Sequence, residues 1–489
     1  MIAQATTALP RPRTTPARHH PDGGSGAGVA HLRLAKPPAS RGANHRHGTA
    51  GPPRVSSGPA GGAVTRLAGQ RERAVLTRWV RTQRINMIRH ADSLRAFGRD
   101  EFGTGPAAPS AAHVDAVNAF IGLFRSRLQE GARWVDAAAT MAEREPTSAR
   151  LRVLLDRKDR VGVSVLYAEG IWDFYFDLFV QRLSAFGERL RAVDRIAANC
   201  YEDLYIGIGS AQPTPRLLPF TYAASGFGPA TYRRGVPIRR LRHHPNLFPL
   251  IMLPQHRLDN PWAMSSVLHE VSHNLQADLK MWDIMPGLLH RRLTSEGISE
   301  QVAAIWAIWH KEVTADMYAL VLGGPPAVES LMDVVGRSAR PTLTFTAIGV
   351  HPTPYLRVFI SLILLRRMGF PAQAAALDRV WRHLYPEGGR GSIPAPLLTT
   401  FDAAAESVVD TIVFRPHPQF GGKSLIQAVP FGPDQLAILK TAGRRLAQGQ
   451  DPGSVPLRLM IGAARFALDQ QLASPQAITD NFYRILGRR

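Results

Sequence analysis

Asn260-Pro261-Trp262-Ala263-Met264-Ser265-Ser266-Val267-Leu268-His269-Glu270-Val271-Ser272-His273-Asn274-Leu275-Gln276-Ala277-Asp278-Leu279-Lys280 has the spacing of one amphipathic helix. Met264, Leu268, Val271, Leu275 and Leu279 form an apolar stripe, with Asn260 as a suitable N-cap and Pro261 as a first helical residue. His269 and His273 are four apart, so their imidazoles stand one turn apart on a single face and can share a metal ion. That face lies about 100° around the axis from the stripe, where side chains can line a cleft. Glu270, between the histidines, can reach a water held beside such an ion. Two histidines and a glutamate at fixed spacing arise by chance in roughly one chain in a hundred of this length, so the pattern calls for a third ligand.

A second long helix supplies one. It runs from Ser295 or Ile298 to Leu322 and stops at Gly323-Gly324-Pro325, a sequence that ends helices. Val302, Ile305, Trp309, Glu312, Asp316 and Leu320 follow one another at three or four residues, which places two carboxylates in an otherwise apolar stripe. A buried carboxylate without a partner costs several kcal/mol or protonates, so a cation or hydrogen-bond donors must lie opposite. Zinc held by His269, His273 and Glu312 would have two imidazoles, a carboxylate and one open position. Asp316 could then accept the outer N–H of a ligand histidine and fix its tautomer. The alternative is a structural ion pair of Glu312 and Asp316 with Arg291 or Arg357.

In this order, His269-Glu270-Val271-Ser272-His273, Glu312-Val313-Thr314-Ala315-Asp316 and His351-Pro352-Thr353-Pro354-Tyr355-Leu356-Arg357 resemble the gluzincin zinc metallopeptidases. Within them the chain is most similar to the compact branch of the CAAX-processing and heat-shock membrane proteases and their soluble relatives. The resemblance covers about residues 245 to 370 and lacks the transmembrane helices of the membrane members. It implies zinc on His269, His273 and Glu312, Glu270 as general base, Asp316 and Arg357 as supports around the metal ligands, and His351 as a catalytic residue near the oxyanion. Tyr318 and Tyr355 are further oxyanion candidates. Leu247 to Leu253 would be an edge strand that pairs with an extended peptide, or else a core strand; Pro249 suits an edge because it cannot donate to a central ladder.

The rest of the chain frames this segment. With 489 residues, 45% of them hydrophobic, it can bury one large core or two modest ones. Residues 1–68 are Gly-, Pro- and Arg-rich and are expected to be a disordered basic tail. Residues 1–75 hold eleven Arg and Lys against Asp22 and Glu72, so +9 of the formal +21 charge lies there. The remaining charge is spread without the basic and aromatic interleaving of a nucleic-acid groove. Residues 69–199 are expected to form an N-terminal helical region, 200–400 the metallopeptidase core, and 401–489 a C-terminal helical region. Short strands are expected at Leu204 to Gly209, Leu217 to Tyr222, Val236 to Leu241 and Leu247 to Leu253. Gly207-Ile208-Gly209 and Gly226-Phe227-Gly228 lack the context of phosphate loops and are expected to be turns.

Cys200 is the sole cysteine, which excludes an internal disulfide framework and a thiolate cluster and fits a reducing compartment, with the cytoplasm as the default. No apolar run approaches the roughly 18 to 20 residues of a membrane span. His243, His244, His310, His383 and His417 lack partners at ligand spacing.

Together these features predict an α+β, predominantly helical chain: a zincin-like metallopeptidase core with a small sheet beside the active-site helix, flanked by N- and C-terminal helical regions. The expected activity is zinc-dependent hydrolysis of a peptide or protein substrate, with Zn2+ as cofactor. A metal-binding but narrow-specificity processing or regulatory protein is the first alternative. A nucleic-acid or anionic-surface binding protein acting through the basic tail is the second.

Overall fold

The computed structural model describes residues 69–386, 388 and 391–488, and the expected tail over 1–68 lies outside them. Helices dominate and enclose one small three-stranded sheet and a two-stranded ribbon. The first three helices, Gln70–Asp92, Ala111–Arg144 and Ser148–Phe179, follow from their spacing. Val114, Val117, Ile121, Phe124 and Leu128 recur at three or four residues and are buried, and Ser110 and Thr147 cap their helices by accepting from the backbone N–H groups of His113 and Arg150.

The sheet consists of β1 (Phe220–Ala224), β2 (Ala230–Tyr232) and β5 (Leu250–Pro254), while β3 (Pro237–Ile238) and β4 (His244–Pro245) make the ribbon. β5 is central, parallel to β1 and antiparallel to β2. Alternation along the strands sends side chains into two cores. Phe220 and Leu250 join the apolar cluster of the N-terminal helices. Ala223, Ile251 and Leu253 join a larger cluster that runs from Leu190 to Leu486, across positions 200 and 400, and takes in Phe401, Phe431, Ile461 and Phe482.

Two of the expected strands differ in the structure: at Val236 to Leu241 only Pro237–Ile238 is extended, followed by a 3-10 turn at Arg239–Leu241. Leu204 to Gly209 is not a strand: the helix Gly187–Ile208 continues through it. Tyr201, Leu204, Tyr205 and Ile208 are buried at helical spacing, and that period outweighs the strand-like composition. Gly207 is a packing residue, because a methyl group there would run into the carbonyl oxygen of Ala428, while Gly209, at φ 64°, ends the helix. Of the two positions left open for Leu247 to Leu253, the structure takes the core one, with β5 as the central strand. Pro249 falls just before β5 and contributes its carbonyl, which accepts from Phe220 N at 2.9 Å, so no ladder donor is missing.

The outer side of β1 is closed by side chains. Asp194 Oδ1 accepts from Thr221 N at 2.8 Å, Gln181 Oε1 accepts from Ala223 N at 2.8 Å, and Arg182 Nη2 donates to Thr221 O at 2.7 Å. β2 forms the opposite edge. It lies on the helix Ser265–Asp278, whose Asn274 Nδ2 donates to Thr231 Oγ1 at 2.7 Å.

Helix propensity alone would favour alanine over glycine by about 1 kcal/mol. Gly207→Ala is instead expected to lower stability by about 1–3 kcal/mol, the usual cost of overpacking, measured by denaturant unfolding. An unchanged or raised midpoint would show that the close approach to Ala428 does not constrain the fold.

Candidate metal centre

The motif helix is Ser265–Asp278, preceded by a 3-10 turn at Pro261–Ala263, so the α-helix proper starts later than its sequence suggests, and Asn260 precedes the turn without a side-chain capping hydrogen bond. Leu268, Val271 and Leu275 anchor it in the larger core. The second helix is Glu300–Gly323, capped by Ser299, whose side chain accepts from Val302 N. Gln276 Nε2 donates to Lys311 O at 3.1 Å, tying the two helices side by side.

This packing brings His269, His273 and Glu312 together, with one potential ligand atom from each lying within 4.8 Å of the others, a group that could hold a metal ion. His269 Nε2 and His273 Nε2 are 3.1 Å apart, and they lie 3.3 Å from Glu312 Oε2 and 3.4 Å from Glu312 Oε1 respectively. Glu312 Oε2 is buried without a properly aligned hydrogen bond. Two imidazole nitrogens and a carboxylate that converge in this way, with poor hydrogen-bond geometry among themselves, suit a shared cation.

Asp316 supports this arrangement from behind. Its Oδ1 lies 2.8 Å from His269 Nδ1, which places the proton on that nitrogen and leaves Nε2 facing the cluster. Arg357, on the helix Pro354–Arg367, donates to both oxygens of Asp316, through Nε to Oδ2 and through Nη2 to Oδ1 at 2.8 Å. The ion-pair alternative with Arg357 therefore holds closely for Asp316 and more loosely for Glu312. Glu312 lies nearer to the histidines, with Arg357 Nη2 at 3.7 Å. His273 has no equivalent support, since its Nδ1 is buried without a partner among the described residues.

The electrostatics show a centre that needs one positive charge. Burial opposes charge on His269, but the hydrogen bonds to Asp316 and Glu312 outweigh it and push its pKa up to about 10. Burial and the charge on His269 push His273 down to about 3. Burial also opposes the Glu312 carboxylate, yet the neighbouring imidazoles of His269 and His351 hold it well below the usual range. Without a metal, these opposite shifts favour a proton on His269 over one on His273. Glu270 is 7% exposed, and burial pushes its pKa up to about 7.

A cavity of about 170 Å³ opens onto the centre and is lined by His269, Glu270, Glu312, Asp316, His351 and Arg357 among others. His351 stands at its mouth, with its side chain 61% exposed and Nε2 3.1 Å from Glu312 Oε2. Tyr318 is fully buried, and neither Tyr318 nor Tyr355 lines the cavity, so these two tyrosines are withdrawn as oxyanion candidates. His244, His310 and His417 are buried with hydrogen-bond partners elsewhere: Tyr167, the carbonyls of Ala307 and Trp282, and the carbonyl of Thr411.

Several lining residues went unread in the sequence. Gly228 and Pro229 lie just before β2, Ser265 and Ser266 open the motif helix, and Val328, Leu331 and Val334 come from the helix Pro326–Val335. Only the helical period of the last three was visible, and it carries no chemistry. Among the described residues no helix is long and apolar enough to cross a membrane. No family model, curated protein or solved structure matches the chain.

At pH 7 His269, with its pKa raised to about 10, carries a proton that a metal must displace. Titration calorimetry with Zn2+ in buffers of different ionisation enthalpy is expected to show one site and release of about one proton per ion. Affinity should rise with pH until His269 loses its proton unaided. Binding without proton release, or no saturable binding, would contradict this picture of the centre.

Proposed function

We propose that this chain is a zinc-dependent peptidase of the gluzincin type with a zincin-like core. The observation that carries the reading is the convergence of His269 Nε2, His273 Nε2 and the Glu312 carboxylate, with His269, Glu312 and Glu270 lining one cavity. The donor set, two imidazoles and a carboxylate with no thiolate, suits zinc in a hydrolytic site that keeps an open position. When bound there, zinc supplies Lewis acidity toward a water and a substrate carbonyl.

The protein's own groups supply the rest. Glu270 takes the proton of the attacking water as its oxygen bonds to the carbonyl carbon, then gives that proton to the amine nitrogen as the C–N bond breaks. A carboxyl group that burial brings near neutral pKa suits both roles. His351, at the cavity mouth, can donate a hydrogen bond to the substrate oxygen as negative charge develops on it. Asp316 and Arg357 keep His269 oriented.

Strand geometry supports a peptide as substrate. β2 is an edge strand and leads out of the cavity through Gly228 and Pro229, so an extended peptide can add to it by backbone hydrogen bonds. The cavity's size favours a second reading within the same chemistry, a processing enzyme of narrow specificity. At about 170 Å³ it falls below the roughly 300–1,000 Å³ of common small-molecule sites, and it selects what enters.

Glu270→Gln is expected to keep stoichiometric zinc and to lose about 10²- to 10⁴-fold in chelator-sensitive cleavage of a denatured-protein panel. Incubated with cell extract, the same variant should retain a processing enzyme's substrate. His351→Ala is expected to lower kcat by about 10²-fold with little change in zinc content. Protein without stoichiometric zinc, together with unchanged cleavage by Glu270→Gln, would refute the proposal.

A further inference from the structure

Beyond the metal cavity, at the far end of β2, the residue after the strand is Arg233. Its guanidinium carbon sits 3.6 Å from the centre of the Trp282 ring. Lys311 Nζ, one residue before Glu312, lies 4.4 Å from the same ring. Trp282 in turn meets the metal-centre residue His273 edge-on, with ring centroids 5.9 Å apart. Contacts of 5.9 and 3.6 Å in series keep Arg233 within about 10 Å of the His273 ring, roughly three residues of extended chain.

Arg233 differs from its neighbours in having no acidic partner. Arg234 is paired with Asp278 at 3.4 Å and donates to Leu217 O at 2.6 Å. Among the described residues no carboxylate lies within 4 Å of the Arg233 guanidinium, and it donates no side-chain hydrogen bond. The carboxylate it senses most, Asp283, is exposed and acts only at longer range. Burial lowers the Arg233 pKa, and Asp283 offsets it only in part. Stacking on an indole holds the guanidinium plane in place and leaves its edge donors available.

We infer that Arg233 is a specificity residue that binds a carboxylate side chain of a peptide paired along β2, on the N-terminal side of the cleaved bond. The side follows from strand direction. With the peptide taken to add antiparallel to β2, its upstream residues lie at the β2 end that carries Arg233. Within about 10 Å of the ring of His273, an aspartate or glutamate one to three residues upstream is in reach. The substrate class is therefore acidic just before the cleavage point. This rests on the peptidase reading, but its binding test does not require turnover.

The test uses the full-length, zinc-loaded Glu270→Gln protein and labelled decapeptides in matched pairs. Each pair differs only in Asp or Asn at one position, with that position walked along the peptide, and each peptide is made as free acid and as amide. Fluorescence anisotropy is expected to show about tenfold or tighter binding of the Asp member at one or two positions, weakening with salt. Adding Arg233→Met, which keeps the apolar stem over Trp282, should abolish the difference, and Arg233→Lys should restore part of it. Equal binding of Asp and Asn members, a preference that persists in Arg233→Met, or a preference set only by the terminal carboxylate would overturn the inference. If the wild-type protein cleaves peptides without acidic preference, the inference fails and the peptidase reading stands. If Glu270→Gln cleaves like wild type while Arg233 still selects Asp, the reverse holds.

Discussion

Two carboxylates buried on one apolar helix set the terms for the rest of the site. Glu312 and Asp316 are each 8% exposed, and an ionised carboxylate at that depth needs compensation from a cation or several donors. Asp316 receives its compensation from Arg357 and from the Nδ1–H of His269. Glu312 is faced by the imidazoles of His269, His273 and His351, with Arg357 farther off at 3.7 Å. The helix Glu300–Gly323 packs against the motif helix, and Arg357 projects from the helix Pro354–Arg367. The charges thus bring three helices together at one point, and an apolar core of Val271, Trp306, Val313 and Leu320 holds them there. Removing one member of such a buried set commonly costs about 3–5 kcal/mol, because its partner is left charged and unpaired.

The small sheet gives this centre its second dimension. β1 and β5 each face two cores, and β2, largely exposed, is held against the motif helix by the hydrogen bond from Asn274 to Thr231. Of the two sheet edges, β1 is sealed by Asp194, Gln181 and Arg182, whereas β2 lies beside the cavity. The β2 edge continues from Gly228 and Pro229, which line the cavity, and is followed by Arg233. β2 and Arg233 are continuous in the chain, whereas the candidate metal ligands come from the helices Ser265–Asp278 and Glu300–Gly323.

Much of the centre was legible in the sequence because helices convert spacing into position. The i, i+4 histidines and the stripe holding Glu312 and Asp316 followed from a 3.6-residue period, and His351 and Arg357 followed from a resemblance carried by their spacing to Pro352. The errors lay where period and composition disagreed. Leu204-Tyr205-Ile206 has strand composition, yet its burial follows a helix, and Gly207 looked like a turn because a glycine chosen for close packing resembles one chosen for backbone freedom. β2 was missed because three residues are too few to show alternation, and Pro249 left its strand's position open because a proline just outside a central strand looks like one in an edge. Arg233 was not legible at all: an arginine's lack of a partner is a property of three-dimensional surroundings, and nothing in Tyr232-Arg233-Arg234 marks which arginine is paired.

Zinc K-edge X-ray absorption on the zinc-loaded protein tests the central claim most directly. The expected shell contains two imidazole nitrogens at about 2.0–2.1 Å with oxygen donors completing it, at one zinc per chain, and loses its oxygen contribution from the protein in Glu312→Ala. A shell without imidazole, or one unchanged by substitution of His269 and His273, would contradict it.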